Sequence, residues 1–288
     1  MTNRTIKKII TSQKVNMGGI YLQQPLPDHQ VNQIDPFILI HHGSLPVNQS
    51  KNQSKSGVGP HPHRGFSPVT FVFKGGVKHQ DSLGNNEVVN AGGTQWIHSG
   101  KGIIHSERPS KEMIRNGDQN EIIQFWVNTP AKYKMETPYY LPLSANQTPQ
   151  IKKKKALIGV VAGDFENITG PAKTYSPQVL LRCETQTGAG LSLPIPESFN
   201  TLIYLLDGEI EVNGRRAVEK DMLWFNNDGR QVVLTVIKSS RFILLSGEPI
   251  NEPVATYGPF VMNTEKEIQE AITDYQQGKM GELNEVFD

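Results

Sequence analysis

The sequence predicts an all-β protein that ends in a short helix, and three observations support this prediction. Short alternating or β-branched runs dominate the chain, namely Val69–Phe73, Ile122–Val127, Val179–Arg182, Leu202–Leu206 and Gln231–Ile237. Glycine, asparagine and proline residues separate these runs at short intervals. A weak internal repeat also relates the two halves of the chain. This rhythm is typical of antiparallel sandwiches and barrels rather than of βαβ units.

Composition and charge narrow the class of protein. The chain has 288 residues, enough for two domains of ordinary size. Its 29 basic and 28 acidic residues nearly balance, so binding to nucleic acid by bulk charge is not expected. Cys183 is the single cysteine, which fits a reducing compartment. No run has the length of a secretory or membrane-spanning segment, so a cytoplasmic protein is expected.

Two hairpins are predicted between neighbouring strands. Glycine and asparagine stand between strand-like runs at Asp81–Asn86 and at Glu211–Arg215. In the second segment, Asn213 and Gly214 supply the positive φ angles that tight hairpin turns require. Both segments therefore indicate antiparallel strand pairs.

Four polar residues in the first half of the chain have the spacing of metal ligands. They form two pairs, His61 with His63 and His105 with Glu107. Residues i and i+2 of an extended strand point to the same face, so each pair would project together. If the two strands lie side by side, the set suits a divalent transition metal with open positions. Either pair alone is a common surface pattern, but together they favour a metal site.

The internal repeat predicts two similar β-barrels. Val69–Gly75 aligns with Leu202–Gly208. A hairpin follows each of these segments, and then comes a strand that contains a tryptophan, Trp96 in the first half and Trp224 in the second.

The same alignment predicts that only the first barrel binds a metal. Pro194 and Pro196 stand opposite His61 and His63, and all eight histidines lie at or before His105. The second barrel therefore has no imidazole ligands, and we expect it to be structural or to serve as a cover and partner surface.

The segment between Thr129 and Lys155 is expected to connect the two domains. It is rich in Pro, Lys, Gln and Ser and lacks clean periodicity, as inter-domain connections do. We therefore place a metal-binding domain at residues 1–135 and a domain without metal ligands at residues 150–288. The four lysines at 152–155 are interpreted as part of a solvated connection, with a nucleic-acid contact as the alternative.

One helix is predicted near the carboxyl end. Thr264 and Glu267 have the pattern of a capping box, and Gly278 stands where a C-terminal cap belongs. Apolar residues recur between them at helical spacing, at positions Ile268, Ala271, Ile272 and Tyr275. We expect this helix to cover a β surface.

Several motifs, taken in order, resemble the pirin family of the cupin superfamily. They are Asp35–Phe37, His61–Phe66 (HPHRGF), Asp81–Gly84 (DSLG), Gln95–Trp96, Gly100–Glu107 (GKGIIHSE) and Gly258–Thr264 (GPFVMNT). The resemblance covers nearly the whole chain. Its N-terminal motifs are long and ordered, so they are highly specific.

The resemblance implies a bicupin, in which two antiparallel jelly-roll β-barrels face each other and only the first holds metal. Pirin-like proteins usually carry iron on the histidines of HPH and on the histidine and glutamate of HSE. These match His61, His63, His105 and Glu107 here. Fe(II) is therefore the expected cofactor, with Mn, Ni, Cu, Zn or Co as alternatives. Several members oxidise flavonols such as quercetin with dioxygen, and others are nuclear co-regulators of transcription.

Three departures from the family pattern lie near the expected site. His41 and His42 stand where an acidic residue is usual, Ser67–Pro68 replaces Glu-Thr, and His98 replaces a commoner threonine. They leave the four ligand positions intact but put the substrate in doubt. For these three histidines and for His79 we expect hydrogen-bonded or exposed side chains rather than metal ligands.

Other residues of the motifs have expected supporting roles. Arg64 is expected either to brace a nearby carboxylate or to lie on the surface. Gly100 and Gly102 are expected to allow the turn that leads to His105, and Trp96 is expected to pack in the core.

Two classes of function remain open. In the first, the protein is a metal-dependent dioxygenase that opens the ring of a flavonol-like enol, and Glu107 takes the proton of the substrate hydroxyl. In the second, it is a non-enzymatic iron protein that senses redox state and binds a protein partner. A degenerate cupin with a structural metal is a weaker third alternative.

Overall fold

The computed structural model describes residues 2–287, which form an all-β structure with two helices. The helices are α1 (Lys111–Asn116) and α2 (Glu265–Gln276). The strands are β1 (Ile6–Thr11), β2 (Gln13–Met17), β3 (Ile20–Leu26), β4 (Phe37–Pro46), β5 (Val58–His63), β6 (Phe66–Lys74), β7 (Gly76–Asp81), β8 (Asn86–Asn90), β9 (Thr94–His98), β10 (Ile103–Arg108), β11 (Gln119–Asn128), β12 (Tyr139–Leu143), β13 (Gln150–Lys153), β14 (Ala156–Ala162), β15 (Asp164–Phe165), β16 (Ile168–Thr169), β17 (Gln178–Thr185), β18 (Gly190–Pro194), β19 (Asn200–Val212), β20 (Arg215–Val218), β21 (Asp221–Phe225), β22 (Gln231–Gly247), β23 (Ala255–Tyr257) and β24 (Phe260–Met262).

The predicted strands and hairpins are confirmed. All five strand-like runs fall inside observed strands, which are β6, β11, β17, β19 and β22. The two predicted hairpins join β7 to β8 and β19 to β20. In the second turn Asn213 has a φ of 51° and Gly214 a φ of 72°, as a tight hairpin turn requires.

The chain forms two compact units that differ from its two linear halves. We name the first the apolar unit, which comprises Met1–His41 and Gln147–Ile250. The second is the histidine unit, which comprises His42–Asn146 and Asn251–Asp288. The boundary after Asn146 lies within the expected connection. The first 41 residues, however, join the second half of the chain and the last 38 join the first half, unlike the expected domains 1–135 and 150–288.

Strand pairing explains this exchange in the apolar unit. β1 pairs antiparallel with β21, and Ile9 lies opposite Leu223. The sheet has the order β1-β21-β19-β22-β17-β14-β13, with β18 also on β22 and β20 also on β19. Its interior is filled with fully buried apolar side chains, among them Ile158, Leu181, Leu193, Leu205 and Phe242.

Arg4 anchors the residues before β1 to the rest of the apolar unit. Its guanidinium is fully buried and donates six hydrogen bonds of 2.6–3.2 Å. Four acceptors are the backbone carbonyls of Pro196, Glu197, Phe199 and Gly229. A buried arginine is tolerated when its donors are satisfied in this way.

The lysine run is part of a hairpin rather than a connection. β13 pairs with β14, and Lys152 and Lys153 lie opposite Leu157 and Ala156. Ionic repulsion does not prevent this pairing, because the side chains of Lys152–Lys155 all retain contact with solvent.

The histidine unit contains two sheet segments. One has the order β5-β10-β7-β8, and in the other β12, β9, β6 and β11 are neighbours in that order. The predicted repeat is visible in the register. Val69 lies opposite Trp96 in the histidine unit, and Leu202 lies opposite Trp224 in the apolar unit. Trp96 is buried, as expected for a core residue.

The C-terminal helix has the predicted capping box and covers a β surface. Thr264 Oγ1 accepts from the Glu267 backbone N–H, and the Glu267 carboxylate accepts from the Thr264 backbone N–H. Ile268 and Ala271 pack against the β23–β24 hairpin. No helix within residues 2–287 has the length and hydrophobicity needed to span a membrane.

After α2 the chain runs as a tail across β7 and β10. Arg108 forms a two-pronged ion pair with Glu285, at 2.8 and 2.7 Å. Val286 exchanges hydrogen bonds with the side chain of Gln80, at 2.7 and 3.1 Å. Gln80 alternates along β7 with His79 and Asp81, so the tail lies on the opposite face of the strand from those two side chains.

Candidate metal centre

The two strands with the expected ligands are neighbours, as the sequence predicted. β5 pairs antiparallel with β10, and His61 lies directly opposite His105. On its other side β10 pairs with β7, where Asp81 is opposite His105 and His79 is opposite Glu107. Directly opposite residues of an antiparallel pair project to the same face. Three strands therefore bring their polar side chains to one face of this sheet.

His61, His63 and His105 form a compact group. Their ring centroids are 4.3–4.9 Å apart. One ligand atom from each lies within 4.8 Å of the others. His63 and His105 are buried and His61 is half-buried. Within residues 2–287, this is the one group of three or more His, Cys, Asp or Glu side chains arranged closely enough to hold a metal ion.

Hydrogen bonds fix the orientation of two of these rings. Nδ1 of His61 donates to the carbonyl of Gly59 at 2.8 Å, and Nδ1 of His63 donates to the carbonyl of Pro259 at 3.3 Å. A carbonyl only accepts, so Nδ1 carries the proton in both rings and Nε2 is the nitrogen whose lone pair can bind a metal. Metal-ligating histidines commonly have their other ring nitrogen held in this way.

The His105 ring and the lowered pKa values of His63 and His105 also suit metal binding. Both ring nitrogens of His105 are buried without a hydrogen-bond partner. Burial, followed by the charge of His61, lowers the pKa of His63 well below its ordinary value. Burial, followed by the charges of the neighbouring histidines, does the same to the pKa of His105. Neutral imidazoles are the form that binds divalent transition metals, so the group suits such an ion.

Glu107 lies outside the group of three histidines. Its Oε1 accepts from Gln95 Nε2 at 2.6 Å, and its two carboxylate oxygens accept from Gln124 Nε2 at 3.2 and 3.0 Å. Tyr140 donates from its hydroxyl to Oε1 of Gln95 at 3.4 Å. The role of Glu107 as a fourth ligand stays a prediction, and the sequence reasoning missed the two glutamines that bind it.

A buried His–Asp pair adjoins the site. His79 Nε2 is 2.8 Å from Asp81 Oδ2, and both side chains are fully buried. The His79 ring stacks on Tyr140 at 3.8 Å and lies 5.4 Å from the His105 ring. We expected a satisfied histidine here, which agrees with these contacts, but not one beside the site. The i, i+2 spacing of His79 and Asp81 is the signal that would have placed it there.

Two aromatic side chains form an apolar wall next to His63. The rings of Phe66 and Trp126 lie 5.0 and 5.5 Å from the His63 ring and 4.3 Å from each other. The site therefore combines a polar side with an aromatic side.

Two loops position the ligand-bearing strands. Gly65 has a φ of 85°, and a Cβ there would lie 2.0 Å from the carbonyl oxygen of Val261, so the position requires glycine. The neighbouring Arg64 donates to the Lys101 carbonyl at 2.6 Å and to Asp274 of α2 at 3.0 Å. Of the two roles expected for Arg64, the structure has the brace against a carboxylate.

The turn before β10 also depends on glycine. Gly100 has a φ of 46° and Gly102 a φ of 134°, and the Gly102 N–H donates to the Ser99 carbonyl at 2.9 Å. These left-handed conformations allow the tight turn that leads directly into His105, as predicted.

The remaining expected non-ligands have partners elsewhere. His41 Nε2 is 2.7 Å from Gln24 Oε1, and burial lowers the pKa of His41 to about 4. His42 lies 3.6 Å from Glu121. The His98 ring is tilted against Tyr139 at 5.3 Å, and burial lowers its pKa to about 4.

Fold and site together define a bicupin in which one unit carries a cluster of histidines fitted to a divalent metal. The profile of the pirin family matches residues 19–127, and the profile of the pirin C-terminal cupin domain matches residues 180–281. The chain belongs to the pirin family, which confirms the resemblance found in its motifs.

Individual relatives agree with this assignment. Pirin-like protein 2 of Arabidopsis thaliana is 34% identical over 285 residues, which covers 96% of this chain and 85% of the relative. Pirin of Homo sapiens is 32% identical over 269 residues, which covers 91% of this chain and 89% of the relative. A crystal structure of quercetin 2,3-dioxygenase from Acinetobacter baumannii has a TM-score of 0.91 at 32% identity, with 98% of this chain and 100% of that chain covered.

Proposed function

We propose that this protein is a metal-dependent dioxygenase that opens the ring of flavonol-like enols. The observation that carries the proposal is the compact, largely buried group of His61, His63 and His105 with Glu107 on the same strand as His105. The likeness over almost the whole chain to a quercetin 2,3-dioxygenase supports the same reaction and a phenolic substrate.

The three histidines would hold the metal through ring nitrogen atoms that the fold leaves free, with Glu107 as the proposed fourth ligand. We propose Fe(II), with Mn, Ni, Cu, Zn and Co as alternatives. Such an ion supplies Lewis acidity for the substrate and for its reaction with dioxygen. The carbonyls of Gly59 and Pro259 hold Nδ1 of His61 and of His63, so Nε2 of each ring would be the atom that binds the ion.

Glu107 would accept the proton of the substrate hydroxyl. Its Oε1 already accepts two amide hydrogen bonds, whereas Oε2 accepts one. Oε2 therefore has a lone pair available for the proton, because each carboxylate oxygen has about two acceptor directions. Phe66 and Trp126 give an aromatic substrate a surface on which to stack.

Oxygen uptake tests the proposal. Protein loaded with Fe²⁺ should consume dioxygen when it is given quercetin or another flavonol. Glu107→Gln keeps the shape of the side chain but accepts no proton, so turnover should fall by about 10²–10⁴-fold while metal content changes little. Glu112→Gln, an exposed change on α1, is the matched control and should leave both unchanged.

Failure of this test would favour the second class of function. Protein that is full of iron but turns over none of a panel of flavonols and related enols would be a redox-sensing iron protein that binds a protein partner. A negative result with quercetin alone is not sufficient, because His41, His42 and Ser67–Pro68 depart from the family pattern near the site.

A cytoplasmic location stays a prediction, which fractionation of the source cells would check.

A further inference from the structure

We propose that Lys78, Gln80 and Arg108 form a peptide-binding groove, and that residues 285–287 of the chain itself are its exchangeable occupant. We name these three side chains the tail groove. The partner that we infer is a protein segment with the pattern Glu-X-Phe, where X is any residue, which would replace the tail. This inference concerns the face of β7 and β10 that is turned away from His79, and it does not depend on the proposed reaction.

The register of the sheet places the tail groove on the face opposite His79. Arg108 of β10 lies directly opposite Lys78 of β7, and Ser106 lies opposite Gln80. Directly opposite residues share a face, and successive residues of a strand alternate between faces. All three side chains of the groove are buried. Two buried cations thus lie next to each other, where like charges are unfavourable, so the groove favours an anionic occupant.

The first and third residues of the occupant are recognised by Arg108. Its guanidinium donates two hydrogen bonds to the two carboxylate oxygens of Glu285, at 2.8 and 2.7 Å. Such two-pronged pairs of arginine and carboxylate are geometrically specific as well as strong. The same guanidinium lies 5.9 Å from the centre of the Phe287 ring, within the range of a cation–π contact. The groove therefore selects a glutamate that is followed two residues later by an aromatic residue.

The middle residue is recognised through its backbone. Gln80 Oε1 accepts from the Val286 N–H at 2.7 Å, and Gln80 Nε2 donates to the Val286 carbonyl at 3.1 Å. Lys78 Nζ donates to the same carbonyl at 3.2 Å. The Val286 side chain is 56% exposed, so this position accepts many residue types. The Gln80 amide thus provides the pairing that a neighbouring strand gives to an extended peptide in other recognition sites.

The tail is held in a way that permits exchange. Met280 is buried in the apolar cluster beside α2, and Gly281 follows it with a φ of 84°. Beyond this point Val286 and Phe287 are exposed, so docking removes little apolar surface from water. Polar contacts therefore hold Glu285–Phe287, and a segment with the same pattern would form each of them. The tether gives the tail an effective concentration on the order of millimolar, so the tail competes with a partner.

A labelled peptide with the sequence of residues 281–287, GELNEVF, tests the groove by fluorescence anisotropy. Glu285→Ala together with Phe287→Ala, in the full-length chain, empties the groove and leaves its three side chains in place. This double variant should bind the peptide at least about tenfold more tightly than the unchanged chain, because the tethered competitor has been removed. Glu282→Ala together with Tyr257→Ala is the matched control. Both residues are exposed and lie outside the groove, so this control should bind the peptide as weakly as the unchanged chain.

Changes in the peptide test the recognition pattern without any effect on the folding of the protein. Glutamine in place of its second glutamate removes the charge-assisted pair, and alanine in place of its phenylalanine removes the ring. Each change should weaken binding to the double variant about tenfold. Alanine in place of the intervening valine should alter the affinity less than about threefold, because only the backbone of that residue is bound.

The tail groove is overturned if the double variant binds the peptide no better than the unchanged chain, or if the two altered peptides bind as tightly as the original. If the double variant does not fold, hydrogen exchange in the unchanged chain decides. Excess peptide should then speed the exchange of the Val286 amide, and unchanged protection would overturn the proposal. A dimer of the unchanged chain that the peptide dissociates would overturn the inferred partner, because a second copy would then be the occupant.

Discussion

The apolar unit and the histidine unit use one strand pattern to build two different interiors. Ile203 lies between Leu223 and Leu244 in the apolar unit, and all three side chains are fully buried. At the corresponding positions of the histidine unit, Thr70 lies between two glutamines. The backbone pairing is shared, so the side chains alone decide whether the interior is a hydrocarbon core or a polar site.

A polar interior stabilises the histidine unit less than an aliphatic core would, and contacts from the C-terminal part of the chain add to its stability. Polar side chains contribute less burial energy than aliphatic ones and must be hydrogen-bonded when buried. The histidine unit adds contacts from the C-terminal part of the chain, namely α2, whose Asp274 binds Arg64, and the tail, whose Glu285 binds Arg108. The apolar unit thus has a filled hydrocarbon core, whereas the histidine unit carries the polar site.

The largest effect is expected from removal of a central imidazole. His105→Ala should reduce metal affinity by more than about 100-fold, since removal of a partner behind a ligand already costs about 10–100-fold. Metal analysis of the purified protein measures the loss. His29→Ala is the control. The His29 imidazole is 67% exposed and lies in the apolar unit, so this variant should bind metal normally.

X-ray data collected at the absorption edge of the metal also test whether only the histidine unit binds an ion. Anomalous scattering from crystals of the metal-loaded protein should place one ion among the three histidines. A peak inside the apolar unit, or undiminished metal in His105→Ala, would contradict the assignment.

The next effect is expected in the filled core. Leu244→Ala removes a fully buried side chain and should lower the free energy of unfolding by about 2–5 kcal/mol through lost burial and a cavity. Chemical denaturation measures this loss. The folded variant should keep its full metal content, because Leu244 lies in the apolar unit. A loss below about 1 kcal/mol would mean that this interior is not tightly packed.

The smallest effect is expected from the tail. Glu285→Gln keeps the shape of the side chain but removes its charge, and should lower the free energy of unfolding by about 1–2 kcal/mol at pH 7. Burial by itself raises the pKa of Glu285, but hydrogen bonds from Arg108 and Ser106 and the charges of Arg108 and Lys78 outweigh it, so the pKa lies below its ordinary value of 4.5.

The lowered pKa fixes the direction of the pH dependence. The carboxylate stabilises the fold above its ordinary pKa, and this contribution is lost as the pH falls through the lowered pKa. The original chain and Glu285→Gln should therefore differ at pH 7 and converge in acid. Denaturation curves at several pH values decide this, and a difference that grows toward low pH would show that the ion pair is not its source.

Local patterns in the sequence determined the strands, the helix and the three metal-site histidines. The alternation of side chains along a strand is a local property, so His61 with His63 and His105 with Glu107 were predictable as pairs. The capping box at Thr264 is equally local. Composition located the boundary region, and the positions of the histidines showed that the second half of the chain carries no imidazole ligand.

Only the tertiary structure decided which distant segments meet. β1 pairs with β21 across more than 200 residues of chain, and the helix α2 returns to the first half, so the compact units could not be read as linear domains. Glu107 is bound by Gln95 and Gln124, which have no regular spacing from it along the chain. The physical reason is that strand pairing across sheets and hydrogen bonds between side chains depend on the register of the whole fold, whereas periodicity and capping depend only on neighbouring residues.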